Sequence, residues 1–200
     1  MNTEEAICSR RSVKYYDPNH QMTAAEIEQL LSLTILSPTA FNIQHWRLVL
    51  IEDQALRLQL KQAAWGQAQV SDASLLVVIC ADVKAWEKNP QRYWRNTADT
   101  VQATILPMID QYYRGRDQTQ RDEALRSCGM AAQTLMLAAK SMGYDSCPMT
   151  GFNFDQVAKL INLPEDHLIA MLVAIGKPLK PAQPKPGQLA LNEIVFRDHF

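Results

Sequence analysis

Two carboxamides stand two residues apart in Ser37-Pro38-Thr39-Ala40-Phe41-Asn42-Ile43-Gln44-His45-Trp46-Arg47. In an extended chain Asn42 and Gln44 share a face, with Phe41 and Ile43 turned the other way. Each carboxamide offers a carbonyl acceptor and an amide donor. That set suits a heterocycle edge carrying mixed C=O and N–H groups better than a bare phosphate or a metal. The same stretch also reads as an ordinary polar loop closed by Trp46 as a core anchor. Upstream, Ser9-Arg10-Arg11-Ser12-Val13-Lys14 brings Arg10, Ser12 and Lys14 to one face if extended. Two cations with a hydroxyl between them make a clamp for a phosphate or a sugar-alcohol chain, Arg as a planar fork and Lys as a point charge. Taken alone, that cluster equally describes a solvated face.

In their order and spacing the two stretches together resemble the nitroreductase family of flavin mononucleotide (FMN) enzymes. The family pattern opens with a helix, continues with Arg-x-Ser-x-(Arg/Lys), and later shows Ser-Pro-Ser/Thr…Asn-x-Gln-Pro-Trp before the first long strand. His45 stands where the family usually has Pro, which restores a backbone N–H and loosens the turn. The likeness runs along nearly all the chain. It implies that FMN contacts Arg10, Arg11, Ser12 and Lys14, and then Pro38, Thr39, Asn42 and Gln44. It also implies a polar contact from the loop before the next strand, where Gln69 is the positional match.

The family's Pro-x-x-Gly-(Gly)-Phe is matched by Pro148-Met149-Thr150-Gly151-Phe152, so backbone N–H groups of that segment are expected at the flavin, just ahead of a helix start. Orphan N–H groups at a helix start form an electropositive site suited to a reduced flavin. Family members often carry Glu where Thr150 stands, a change that bears on redox tuning and substrate approach rather than on binding. Lys185 is the candidate for a basic phosphate contact, its usual Arg companion being replaced by Gly187 or Gln188. Over the flavin, Phe41, Trp86, Tyr93 and Trp94 are candidates to meet substrate, although the aromatics serve equally as core or dimer anchors.

The implied fold is α+β, a central mixed sheet flanked by helices, with a C-terminal arm (178–200) swapped in a homodimer. The implied activity takes hydride from NADH or NADPH and reduces nitroaromatics, quinones or similar acceptors by a ping-pong scheme, with the chemistry at flavin N5 and no catalytic side chain. A flavin enzyme of other chemistry, such as dehalogenation or ene reduction, or a flavin-binding protein without turnover, would show the same motifs.

The elements that must position these residues are legible from capping and periodicity. Thr23-Ala24-Ala25-Glu26 is a capping box, with Met22 and Ile27 placed for a hydrophobic staple, and Pro38 stops the helix that follows. Leu48 to Ile51 has strand character, and Asp53 caps a helix with Leu56, Leu60 and Ala64 on one stripe. Leu75 to Ala81 and Ile169 to Ile175 are continuously apolar, as strands covered on both faces are. Residues 84–124 read as a variable lid, including a helix kinked at Pro107, and Arg114 to Glu123 reads as a charged linker. Cys128 to Ala139 reads as a buried helix closed by Gly143, and Asn153 caps the next helix. Prolines from Pro178 to Pro186 hold an extended arm, with Leu189 to Phe196 as a last strand.

Composition bounds the rest. The 200 residues suit one domain, and 47% hydrophobic with 20% charged is ordinary for a globular chain. A net charge of -1 provides no electrostatic footprint for nucleic acid or an anionic membrane. Four scattered cysteines without C-x-x-C indicate neither a disulfide framework nor a zinc site. With no apolar leader at the acidic N-terminus, a cytoplasmic location is expected. Neither a Gly-rich phosphate loop nor G-x-G-x-x-G is present, so a Rossmann dinucleotide site is not indicated.

Overall fold

The computed structural model describes residues 1–200. In chain order the elements are α1 (Thr3–Ser9), α2 (Ala24–Thr34), β1 (Trp46–Leu50), α3 (Gln54–Ala63), α4 (Gln69–Asp72), β2 (Leu75–Asp82), α5 (Asp99–Tyr113), α6 (Asp117–Ser141), β3 (Asp145–Met149), α7 (Phe154–Leu160), β4 (His167–Gly176) and α8 (Leu191–Ile194). The caps act as the sequence predicts. Thr23 and Glu26 close a reciprocal box on α2, Asp53 accepts from the Leu56 N–H, and Asn153 accepts from the Gln156 N–H. Gly143 follows α6 at φ +81°, a left-handed position where a side chain would be strained.

The sheet runs β1-β2-β4-β3, and every ladder between these strands is antiparallel. The mixed character expected of it is confined to one isolated parallel bridge, Ser12 with Ser146. All eight residues of β2 are buried. Alternation then sends Leu76, Val78 and Cys80 into one core with Leu60 of α3 and Val157 of α7. Leu75, Val77, Ile79 and Ala81 enter the opposite core with Leu30 of α2 and Cys128, Ala131 and Leu135 of α6. Cys80 and Cys128 are buried free thiols, both pushed up to about 12 by desolvation. A third, smaller core lies under the lid, where Ile43, Trp86, Ile109 and Tyr113 pack together.

Three readings are corrected. The charged stretch from Arg114 to Glu123 is not a linker, because α6 already begins at Asp117. Buried Gln120 donates to the Tyr113 carbonyl and Ala124 is packed, so one face of that turn belongs to the fold. Residues 189–196 form no strand. No neighbouring edge within the chain pairs with them, and the single turn α8 closes locally as the Ala190 N–H donates to Glu193. Ser146 lies in strand β3, with Pro148 tolerated on a sheet edge where no ladder donor is needed.

The third correction concerns the carboxamide stretch, which is not extended. Phe41, Asn42 and Gln44 take φ of 52°, 56° and 52° around a short 3-10 turn. Non-glycine residues held there cost of order 1 kcal/mol or more each and persist where the surroundings over-determine them. Here Thr39 Oγ1 accepts from the Gln44 N–H at 3.1 Å, and the Asn42 amide donates to the Tyr93 carbonyl at 2.8 Å.

Candidate active site

The predicted site residues fall into two groups on opposite edges of the sheet. At the β3 edge, Ser12 bridges Ser146 and the Val13 N–H donates to the Ser146 carbonyl at 3.1 Å. This docks the basic segment along the strand. Lys14 and Ser12 face solvent, whereas Arg10 is half-buried. Arg10 Nη1 and the Ser146 hydroxyl are buried with no hydrogen-bond partner. Burial raises the Cys147 thiol above its ordinary value, and the charges of Lys14 and Arg10 oppose that rise. Arg11 is used otherwise: its guanidinium donates to the Gln183 carbonyl and tacks the start of the C-terminal arm to the N-terminal segment.

The same edge carries the Pro148–Gly151 segment. The Phe152 and Asn153 N–H groups are taken up by Thr150 and Ala63, but those of Thr150 and Gly151 take no backbone partner. Gln67, which the sequence did not single out, donates to the Gly151 carbonyl at 2.8 Å and accepts from Gln69 at 3.0 Å. Gln69 is therefore a buried support for Gln67 rather than the exposed member of the pair. Trp65, also missed, lies against Gly151, a Cβ on which would stand 3.4 Å from the indole. A carboxamide spaced two residues before Gln69, beside a large exposed aromatic, was the available signal. Lys185 makes no hydrogen bond or ion pair and stands exposed on the arm, two residues beyond the Gln183 carbonyl that Arg11 holds.

At the β1 edge, Asn42 and Gln44 remain together despite the bent backbone, since the Gln44 amide donates to Asn42 Oδ1 at 3.2 Å. The lid closes on them. Trp94 Nε1 donates to the Phe41 carbonyl at 3.0 Å, while Tyr93 supplies the carbonyl that holds Asn42. Phe41, Tyr93 and Trp94 are partly exposed around this loop, whereas Trp86 is buried and stacked on Tyr113 at 5.8 Å between centroids. Trp86 is thus a lid anchor and not a surface that meets substrate.

Two buried groups hold the loop from beneath. Asp82 at the end of β2 pairs with Arg47 at 2.7 Å and with Lys88 at 2.9 Å, and Lys88 continues to Asp166 at 2.5 Å. Arg47 also donates to the Gln44 carbonyl, so one carboxylate fastens the site loop, the lid base and the start of β4. Asp82, Asp166 and His167 lie close enough together to suggest a cation site, but the Lys88 ammonium already stands between the two carboxylates. The Lys88 hydrogen bond holds the Asp166 carboxyl down to about 2.

His45, at the position where Pro was expected, is completely buried. Its Nδ1 lies 3.2 Å from the Ser127 hydroxyl, which itself donates to the Glu123 carbonyl. The hydroxyl proton being committed, His45 must carry its proton on Nδ1, leaving Nε2 as an unpartnered buried acceptor. Desolvation lowers the imidazole to about 4, so it is neutral near pH 7.

An antiparallel sheet with helices on both faces, a basic segment docked on one edge and a carboxamide loop beside packed aromatics on the other fit a nitroreductase-like α+β protein. The chain belongs to the nitroreductase family, whose model matches residues 7–177. It is 49% identical over 200 residues to protein DrgA of Synechocystis sp. strain PCC 6803, covering 98% of this chain and 95% of that one. It is 34% identical over 198 residues to YodC of Bacillus subtilis, named provisionally as an NAD(P)H nitroreductase, covering 96% and 97%. A chain from Exiguobacterium sibiricum 255-15, provisionally assigned as a nitroreductase and solved in complex with FMN, superposes with a TM-score of 0.90. It is 27% identical, with coverage of 99% of this chain and 98% of that one. No helix is long and apolar enough to cross a membrane.

Proposed function

We propose that the protein is an FMN-dependent oxidoreductase that takes hydride from NADH or NADPH and reduces nitroaromatics, quinones or similar acceptors, working as a homodimer. The observation that carries this reading is a set of unsatisfied donors gathered at one edge of the sheet. Arg10 Nη1, the Ser146 hydroxyl and the Thr150 and Gly151 N–H groups have no partner of their own, which fits an anionic, acceptor-rich cofactor. Arg10, Ser12 and Lys14 would hold its phosphate and ribityl chain, and the Thr150–Gly151 backbone would face its ring. When bound, FMN supplies a ring that receives hydride and returns electrons to a second molecule. The protein's part is to bind, orient and exclude water. Because donor and acceptor would use one face in turn, the kinetics would be ping-pong.

Geometry supports the dimer. From Ser12, which bridges β3 from outside, to Trp46 is four strand spacings across the sheet, about 19 Å, and six residues of register along it, about 20 Å. Asn42 and Gln44 therefore cannot reach a ring held by Arg10 and Lys14 of the same chain, whereas a two-fold copy can bring its own loop to that edge. The relatives' FMN complex and NAD(P)H names support the cofactor and donor. The exposed apolar side chains of the arm, Leu189, Leu191, Val195 and Phe196, support reciprocal exchange.

The test is optical. Purified protein should be yellow, should bleach under NADH or NADPH without oxygen, and should regain its colour when a nitroaromatic or quinone is added. Colourless protein that cannot be reconstituted with FMN would remove the reading, and yellow protein that neither nucleotide bleaches would make it a flavin-binding protein without turnover.

A further inference from the structure

Beside the carboxamide loop is a cavity of about 360 Å³ lined by Gln44, Trp46, Arg47, Arg92, Tyr93 and Arg95. Three of its six lining side chains are guanidinium groups and none is a carboxylate. Arg47 is compensated, since it pairs with Asp82 at 2.7 Å. Asp82 is however shared with Lys88, so the hub leaves no negative charge to spare. Arg92 and Arg95 on the lid make no ion pair. Arg92 lies over the Tyr93 ring, 4.7 Å from its centroid, and its Nη2 donates to the Tyr93 hydroxyl at 2.5 Å. That stacking presets one fork at the cavity, and Arg95 supplies a second. Cations gathered without counter-charges repel one another, and an anion entering between them relieves the repulsion while accepting paired hydrogen bonds. The location narrows the ligand. Gln44 is both a wall of this cavity and a member of the loop read above as facing the cofactor ring, so a molecule lying over that ring would reach the cavity with a substituent.

We propose that this cavity is an anion subsite that receives a phosphate or carboxylate carried by the molecule stacked over the flavin. Two sources have that chemistry: the 2′-phosphate that distinguishes NADPH from NADH, and an acidic substituent on the electron acceptor. The inference rests on the proposed cofactor-facing role of the Gln44 loop, and it adds a specificity determinant to that site.

The test compares two ligand pairs that differ only in the anionic group, NADP⁺ against NAD⁺ and 4-nitrobenzoate against nitrobenzene. Neither oxidised nucleotide nor either nitro compound reacts with the oxidised protein, so affinities are read by titration calorimetry on the full-length protein as purified. At least one pair is expected to favour its anionic member by about ten-fold or more, and the pair that does so identifies the source. In Arg92→Gln/Arg95→Gln that ratio should collapse toward one, while Arg92→Lys/Arg95→Lys should keep most of it. Equal affinities within both pairs, or a ratio that survives the double glutamine change, overturns the subsite. A preparation that cannot be reconstituted with FMN but still discriminates would sink the flavin reading and reduce the cavity to an anion site with no cofactor beside it. A yellow preparation that does not discriminate would keep the flavin reading and overturn the subsite.

Discussion

Acidifying the protein from about pH 7 to about pH 5 should weaken it through His45 in particular. In the unfolded chain His45 titrates near its ordinary value of 6.5, whereas in the folded state burial lowers it to about 4. Between those values the unfolded state binds more protons than the folded state, so stability is complete above the unfolded value and is lost as pH falls through the window. Linkage over that interval gives a loss of about 2 kcal/mol by pH 5, since the neutral imidazole must stay uncharged inside the fold while the unfolded one gains a proton. The carboxylates are a separate matter, because those with resolved shifts, such as Asp166 at about 2, lose their contribution at still lower pH. The control is His45→Asn, whose amide can still donate to Ser127 but does not titrate. Urea midpoints at fixed protein concentration and saturating FMN, taken at the two pH values, should fall for the wild type and change much less for the variant. Equal losses in both proteins would refute the assignment of the acid sensitivity to His45.

Three further outcomes follow from the same geometry. Lys14→Ala should weaken FMN affinity by roughly ten-fold to a hundred-fold, the value of one charge-assisted hydrogen bond; an unchanged dissociation constant in a flavin titration would return the basic segment to a solvated face. Asp82→Asn removes the carboxylate shared by Arg47 and Lys88 and should cost about 3 kcal/mol in denaturant unfolding at neutral pH. A loss below about 1 kcal/mol would mean the hub is replaceable by solvent. Truncation after Pro181 should give colourless, poorly soluble protein, and a soluble yellow monomer by light scattering at micromolar concentration would rule out arm exchange.

The caps of α2, α3 and α7, the covered strands β2 and β4 and the helix core from Cys128 to Ala139 were all readable from local signals, because a capping side chain and its N–H lie within one turn. Continuous apolarity likewise marks a covered strand wherever it lies in the sheet. Arg10, Ser12, Lys14, Asn42 and Gln44 stood out by type and spacing. Their backbone geometry did not, since the left-handed φ values at Phe41, Asn42 and Gln44 are imposed by Thr39 and by Tyr93 from the lid, a contact across 51 positions of sequence. The same holds for Gln67, which becomes a site residue only when β3 brings Gly151 beside it, and for Asp82, an ordinary strand-end acid until Arg47 and Lys88 converge on it. Trp86 and Gln69 show the converse, polar or aromatic side chains whose types suit a ligand but which packing withdrew into the interior. Residue type and local spacing determine which chemistry the chain can offer and where its helices start. Which side chains face one another, and that the basic segment and the carboxamides lie on opposite edges of one sheet, is decided by strand order, and strand order depends on contacts that no local pattern encodes.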